Sequence, residues 1–334
     1  MIRYVRTIAR LVREGSLPEV PEFGDERAIR DAPLRDARRD VRLGDWESAR
    51  EVIAAAGRDW ELRGRRIGSL GDLAATDGGW LDEWLRADPD DAAAVLLQSA
   101  RLGHEAGNAR GAASAPNTSA EQAAAFHRLS AQSAEAGRRA IALADPADPV
   151  PWVQLLGTQY AAGGSIDEVF EEGRRRDPYH FDLHLTALSL RCEKWFGSHE
   201  EMFATAREVA AAAPAGANAV MLPLFAHYEY AMREFAWETR SKQTTKACRK
   251  YFRRPEVRDE VDGLVAKWLA GTPNPAGART CWQWIALFHT LNGRRAAARA
   301  VFDELGPYVT PNHAWGYMFG GSEYGYLESW TWAL

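Results

Sequence analysis

Apolar residues recur at helical spacing along most of this chain. Phe181, Leu185, Leu188, Cys192 and Trp195 follow one another at steps of four, three, four and three residues, which predicts one continuous buried stripe on a helix. Alanine, leucine, arginine, glutamate and glutamine, which favour helix, dominate the other stretches. The sequence holds no runs of alternating β-branched residues, so it predicts an all-α fold.

Asp-Pro pairs separate the predicted helices. They occur at Asp88-Pro89, Asp145-Pro146, Asp148-Pro149 and Asp177-Pro178. Proline disfavours helix in the preceding residue and suits the first turn of a following helix, so each pair predicts a break. Residues 209–228 lack charged side chains, but their prolines and glycine predict a helix end, a loop and a helix start rather than a membrane span.

A glycine and a proline frame several of these helices at similar distances. In the segment 197–214, a glycine closes one helix, two acids open the next, and a proline follows 17 residues after the glycine. Gly44, Gly164 and Gly293 fit the same scheme, although the step from glycine to proline is 14 residues in two cases. Small residues alternate with large apolar ones around these glycines, as is needed where two antiparallel helices cross closely. Further matching positions are Ala49, Ala56, Leu156, Gly157, Tyr160, Trp282, Ile285, Ala286, Ala298 and Phe302.

This pattern resembles the tetratricopeptide repeat over residues 30–57, 150–178, 183–214 and 279–311. Val169 and Met202 stand where that family has a small residue. The resemblance implies a right-handed α-solenoid of antiparallel helix hairpins with irregular repeats, because one hairpin cannot bury its own apolar face. It further implies a concave groove that binds a protein or peptide partner. By position, the groove residues would be Gln154, Thr158, His184, Arg191, Lys194, Gln283 and Thr290. The leading hypothesis is therefore a non-enzymatic scaffold or adaptor.

Six segments are expected along the chain. They are an N-terminal amphipathic helix and linker (1–24), first hairpins (25–106), a flexible loop (107–120), central repeats (121–239), a basic helical insertion (240–275), and a last repeat with an aromatic cap (276–334). The first segment lacks the uninterrupted apolar run of a secretory signal. Three cysteines without a CxxC pair exclude a disulfide scaffold and a zinc ribbon, and they favour a cytoplasmic location.

Charge is distributed unevenly along the 334 residues. The net charge is −5, yet residues 240–258 hold eight basic side chains and one acid, a net +7, which leaves −12 on the remainder. The basic face of the predicted helix consists of Lys242, Lys246, Lys250, Arg253 and Arg254, and Cys248, Tyr251 and Phe252 would pack on its other side. This face is either a solvated helix surface or a site for an anionic partner, and the lack of stacking aromatics on it disfavours nucleic acid.

The sequence contains no recognisable catalytic or cofactor motif. It has no GxSxG elbow, no P-loop, no GxGxxG and no HExxH, so we predict no cofactor and no metal. His180 and His184 share a helix face, but two ligands alone do not make a zinc site. An alternative hypothesis is an all-α enzyme or small-molecule-binding protein. Its pocket would lie near the aromatic C-terminal segment, beside Trp282, Trp315 and Tyr317.

Overall fold

The computed structural model describes residues 19–24, 26–111, 118–163, 165–237 and 242–334, without the side chains of residues 242 and 243. The prediction for the N-terminal amphipathic helix therefore lies outside the described residues. Within them, the chain is all-α apart from two strands of two residues each, which confirms the predicted fold class.

The helices are α1 (Ala32–Val41), α2 (Glu47–Ala54), α3 (Trp60–Thr76), α4 (Gly79–Ala87), α5 (Ala92–Arg110), α6 (Ala120–Leu143), α7 (Val150–Gly157), α8 (Gln159–Ala162), α9 (Asp167–Arg176), α10 (Phe181–Leu190), α11 (His199–Ala212), α12 (Leu222–Ala236), α13 (Lys242–Phe252), α14 (Pro255–Leu269), α15 (Pro275–Asn292), α16 (Arg295–Leu305), α17 (His313–Phe319) and α18 (Ser322–Ala333). Short 3-10 helices span Glu26–Ala28 and Asn218–Met221.

The helix boundaries follow the punctuation of the sequence. Each of the four Asp-Pro pairs lies between two helices, as predicted. Asp91 caps α5 by accepting hydrogen bonds from two backbone N–H groups of the first turn. At α6, Ser119 and Gln122 form a reciprocal capping box, with distances of 3.1 and 3.0 Å. Each of these caps satisfies N–H groups that have no partner within the helix.

Three of the four repeat-like segments contain two helices separated by a turn, and the segment 150–178 contains three, α7, α8 and α9. Gly44 and Gly293 stand in two of these turns with φ of +94° and +73°, a region that favours glycine. Gly164 lies outside the described residues. Successive helices joined by turns are therefore observed in these segments, and their pairing and stacking as repeats stays a prediction.

The predicted stripe from Phe181 to Trp195 is wrong at its C-terminal end. Helix α10 ends at Leu190, and Arg191 occupies its C-cap. The chain then turns back, with the N–H of Phe196 bonding the carbonyl of Leu190 at 3.1 Å. Trp195 therefore leaves the helix and is only half-buried.

The described residues form two compact units. The first unit is Asp31–Ser198, and the second unit joins the described residues up to Arg30 with His199–Leu334. This division falls within the segment expected to hold the central repeats.

Small residues allow the longest helices of the first unit to approach closely. Gly71 of α3 faces Ala100 of α5, where an added Cβ would lie 2.6 Å from the Ala100 Cβ. Ser99 directly precedes Ala100, and the hydroxyls of Ser99 and Ser133 each donate to the backbone carbonyl of the other residue at 2.8 Å. These reciprocal bonds tie α5 to α6 and leave neither hydroxyl unsatisfied.

Aromatic rings fill the core of the second unit. The ring of Phe225 stacks on that of Trp284 with centroids 5.2 Å apart. Trp315 and Tyr326 of the C-terminal segment lie fully buried beside Phe302. Glu22–Phe23 pairs in parallel with Tyr308–Val309, which attaches the early part of the chain to this core.

Candidate functional site

Four of the seven side chains expected to line a groove are buried. Thr158 and Thr290 bond carbonyls of their own helices at 2.7 and 2.9 Å, and His184 bonds the Pro178 carbonyl at 2.8 Å. Gln283 donates to the Thr310 carbonyl at 3.0 Å. Each of the four side chains is buried and bonds a backbone carbonyl, so these residues contribute to packing, in correction of their expected exposure. Gln154, Arg191 and Lys194 remain half-exposed.

Arg191 and Lys194 directly precede two rings of an aromatic cluster in the first unit. Tyr160, Trp195 and Phe196 form a connected row of rings with centroid distances of 4.8 and 6.1 Å. Phe196 is 51% exposed, and the other two rings are half-buried. We call these three rings, together with Arg110, Arg191 and Lys194, the aromatic surface.

Two arginines of the aromatic surface lie against rings. The Arg110 guanidinium lies 5.9 Å from the centroid of Trp195, and that of Arg191 lies 5.0 Å from the centroid of Phe170. Arg191 also pairs with Asp167 at 3.0 Å. A hydrogen bond from Ser165, and second the bond from Arg191, lower the pKa of Asp167 below its usual range. Asp167 therefore stays ionised and holds Arg191 in place beside the Phe170 ring.

The two histidines that share a helix face serve the local structure of α10. His180 caps this helix, its Nδ1 accepting from the N–H of Leu183 at 3.3 Å. His184 Nε2 donates to the Pro178 carbonyl, and burial lowers the pKa of His184 to about 4. Both imidazoles are buried and engaged by the backbone of the first unit.

The basic face on α13 has the predicted orientation. Cys248, Tyr251 and Phe252 are buried beneath it, whereas Lys246 and Lys250 are exposed. Arg253 and Arg254, also exposed, follow the end of the helix. Lys242 begins the helix, and its side chain lies outside the described part of the chain.

A polar network that was not predicted from the sequence lies beneath this face, with His227 and Tyr251 buried, Glu260 half-buried and Arg207 exposed. His227 Nδ1 lies 2.6 Å from the Tyr251 hydroxyl, and its Nε2 lies 3.2 Å from a carboxylate oxygen of Glu260. Because an ionised carboxylate only accepts, Nε2 donates to Glu260 and Nδ1 accepts from the tyrosine. Arg207 completes the network with a bidentate pair to Glu260 at 2.7 and 2.9 Å. The four residues join α11, α12, α13 and α14.

The electrostatics of this network favour structure over catalysis. Hydrogen bonds from His227 and then Arg207 lower the pKa of Glu260 to about 2. Burial raises the pKa of Tyr251, so its phenol stays protonated and is a poor base or nucleophile at neutral pH. Cys248 is similarly buried, and its pKa is raised to about 11. No periodicity links His227, Tyr251 and Glu260, so their convergence could not be predicted from the pattern of the chain.

The aromatic C-terminal segment contributes mainly to the core. Trp315 is fully buried, with its indole N–H donating to the Gln283 side-chain oxygen at 3.2 Å. Trp282 packs edge-on against Trp268. Tyr317 donates to the buried Glu229 carboxylate at 3.0 Å. These contacts fix the segment on α12 and α15.

In the part of the chain that the structure describes, no helix combines the length and apolar character needed to cross a bilayer. Compared with known proteins, the chain matches no family model, no curated protein and no solved structure.

Proposed function

We propose that this chain is a non-enzymatic binding protein that docks a protein partner on the aromatic surface of its first unit. The observation that supports this proposal is the exposed ring of Phe196, continuous with Trp195 and Tyr160 and flanked by arginine. Tyrosine, tryptophan and arginine are the residue types that carry most of the binding free energy at protein interfaces. A binding role also agrees with the absence of catalytic motifs from the sequence.

The chemistry of the surface indicates the kind of segment it would bind. An apolar side chain of the partner would cover Phe196, because that ring has half its surface in contact with water. The Arg110 guanidinium stands beside the Trp195 ring as a cation, so acidic residues should flank that apolar side chain. The proposed ligand is therefore an apolar peptide segment with acidic neighbours.

The proposal extends to the tetratricopeptide-like solenoid, with its right-handed stack of hairpins. Its support is local: glycine-separated helix pairs, and close helix approaches at Gly71 and Ala100 and at Ser99 and Ser133. In such an array, the helix hairpins present a peptide-binding face by stacking. Arg191 and Lys194 would belong to that face.

A peptide-display selection against the intact protein tests this function. We expect the selected peptides to combine an apolar or aromatic residue with Asp or Glu. The double variant Phe196→Ala with Arg191→Ala should weaken their binding by about tenfold or more, because hot-spot truncations commonly cost over 1 kcal/mol each.

Tyr324→Ala is the matched control, since Tyr324 is 61% exposed in the second unit. This variant should bind the selected peptides like the unchanged protein. Equal binding of the peptides to the double variant and the unchanged protein would refute the proposed surface. Far-UV circular dichroism checks that both variants remain folded.

A further inference from the structure

The second unit carries cations that have no ion pair with the described residues. We call Lys246, Arg249, Lys250, Arg253, Arg254 and Arg258 the basic surface. All except the half-buried Arg249 are exposed. The ion pairs of this unit lie elsewhere, as in Arg207–Glu260 at 2.7 Å. Even the nearby acids Glu256 and Asp259 form no pair with the basic surface among the described residues.

The cations lie along consecutive turns of the chain. Lys246 and Lys250 are one helical turn apart on α13, which separates their Cα atoms by ~6 Å along the axis. Arg253 follows the end of α13, and its backbone N–H donates to the Arg249 carbonyl, as in one further turn of the helix. Arg258 extends the positive charge into the first turn of α14.

The polar network and two arginine contacts anchor this surface to the second unit. The hydroxyl of Tyr251 contacts His227 at 2.6 Å, while the guanidinium of Arg254 lies 5.1 Å from the centroid of the same tyrosine ring. Arg253 donates to the Leu291 carbonyl at the end of α15, at 3.2 Å. Because these contacts fix the backbone under the cations, binding would cost little additional ordering.

We propose that the basic surface binds an acidic segment of a partner protein. Closely spaced cations that form no ion pair repel one another, and a row of carboxylates would relieve this repulsion. The planar guanidinium groups of Arg254 and Arg258 suit bidentate contacts with carboxylates. This site lies in the second unit and is independent of the aromatic surface.

The composition of the surface disfavours two other anionic ligands. A single-stranded nucleic acid stacks its bases on exposed aromatic rings, whereas Tyr251 is buried beneath Arg254. A lipid surface is entered by apolar side chains, whereas Cys248 and Phe252 of α13 point into the core. A carboxylate-rich polypeptide requires neither feature.

Fluorescence anisotropy with a labelled peptide of about ten glutamates tests the proposal, since such a peptide exceeds the ~16 Å length of α13. We expect saturable binding that weakens as salt is added. The triple variant Lys246→Gln, Lys250→Gln, Arg258→Gln should weaken binding by about tenfold or more, and each single substitution by about two- to threefold.

A matched triple variant separates the site from overall charge. Arg65→Gln, Arg128→Gln and Arg138→Gln remove the same charge from exposed positions of the first unit and should leave binding unchanged. An equal loss in both triple variants, no binding by the unchanged protein, or tighter binding of duplex DNA at the same salt would each overturn the proposal. If the basic triple variant does not fold, the anisotropy measurement is made on the three single variants, and unchanged binding by all three would overturn the proposal.

Discussion

The indole nitrogen of Trp315 donates a hydrogen bond to the side-chain oxygen of Gln283 at 3.2 Å, and both residues are buried. The same oxygen accepts from the backbone N–H of Asn312 at 3.1 Å, and the amide nitrogen donates to the Thr310 carbonyl. The Gln283 side chain of α15 therefore satisfies three polar groups, one in α17 and two in the segment that precedes it. This relationship explains how a polar residue can occupy the core of the second unit.

Replacing Gln283 by Leu should destabilise the protein by about 2–4 kcal/mol, because it leaves buried donors and an acceptor without partners. Urea unfolding followed by tryptophan fluorescence measures the change. Thr290→Val on the same helix is the control. Its hydroxyl bonds only a carbonyl of its own helix among the described residues, so we expect a loss below about 1.5 kcal/mol. Similar losses for both variants would contradict this account of Gln283.

Two glycines of α3 should respond oppositely to alanine. Gly71→Ala would place its Cβ 2.6 Å from that of Ala100, so α3 and α5 must separate, at a cost of about 1–3 kcal/mol. At Gly68 an added Cβ meets no atom within 4 Å. Gly68→Ala should therefore stabilise the helix by about 0.5–1 kcal/mol. Thermal unfolding measures the change in stability of each variant. A stabilising effect of Gly71→Ala would refute the close approach of α3 and α5.

Glu260 should make stability depend on pH in the acid range. Its pKa in the folded protein is about 2, below the ordinary value of 4.5, because His227 and Arg207 bond the ionised carboxylate. The stabilisation is thus complete above pH 4.5 and is lost as the pH falls toward 2. We expect Glu260→Gln to cost about 1–2 kcal/mol at pH 7, after allowing for solvent screening, and much less at pH 3.

Urea unfolding of this variant across pH 3–7 measures the effect. Glu256→Gln on the same helix is the control, because Glu256 is exposed and makes no ion pair among the described residues. It should change stability by less than about 0.5 kcal/mol at every pH. A Glu260→Gln profile parallel to that of the unchanged protein would contradict the proposed role of the network.

His184 should make stability depend on pH over a higher range than Glu260 does. Burial lowers its pKa in the folded protein from 6.5 to about 4, so the unfolded chain binds this proton first as the pH decreases. The folded state is favoured fully above pH 6.5, and the advantage declines by up to about 3 kcal/mol between pH 6.5 and 4. His184→Gln keeps a donor for the Pro178 carbonyl but does not titrate. Its stability should vary less over that interval, and an unchanged pH profile would be inconsistent with the low pKa.

The three cysteines should react only after unfolding. Cys192, Cys248 and Cys281 are all buried, and burial raises the pKa of the Cys248 thiol to about 11. A thiol reacts as the thiolate, so both access and ionisation slow its modification. Colorimetric thiol titration should detect three groups in urea, and far slower reaction without it. Rapid titration of one thiol in the folded protein would show that its site opens readily.

The sequence by itself determined the local structure. Asp-Pro pairs and glycines act on adjacent backbone dihedrals, so the breaks at Asp88-Pro89 and Gly293 could be predicted without knowledge of the rest of the chain. The division of α13 into a basic side and a buried side containing Phe252 also follows from helical spacing alone.

Only the tertiary structure decided which polar side chains meet. His227 bonds Tyr251 and Glu260, which are 24 and 33 residues away in the sequence, and Gln283 bonds Trp315, which is 32 residues away. Helical periodicity predicts no contacts at such sequence separations. The burial of Thr158, placed in a groove by its position, likewise depends on neighbouring helices. Local sequence fixes the helices through short-range sterics and hydrogen bonds, whereas their packing selects which polar groups are buried together and which cations stay in water.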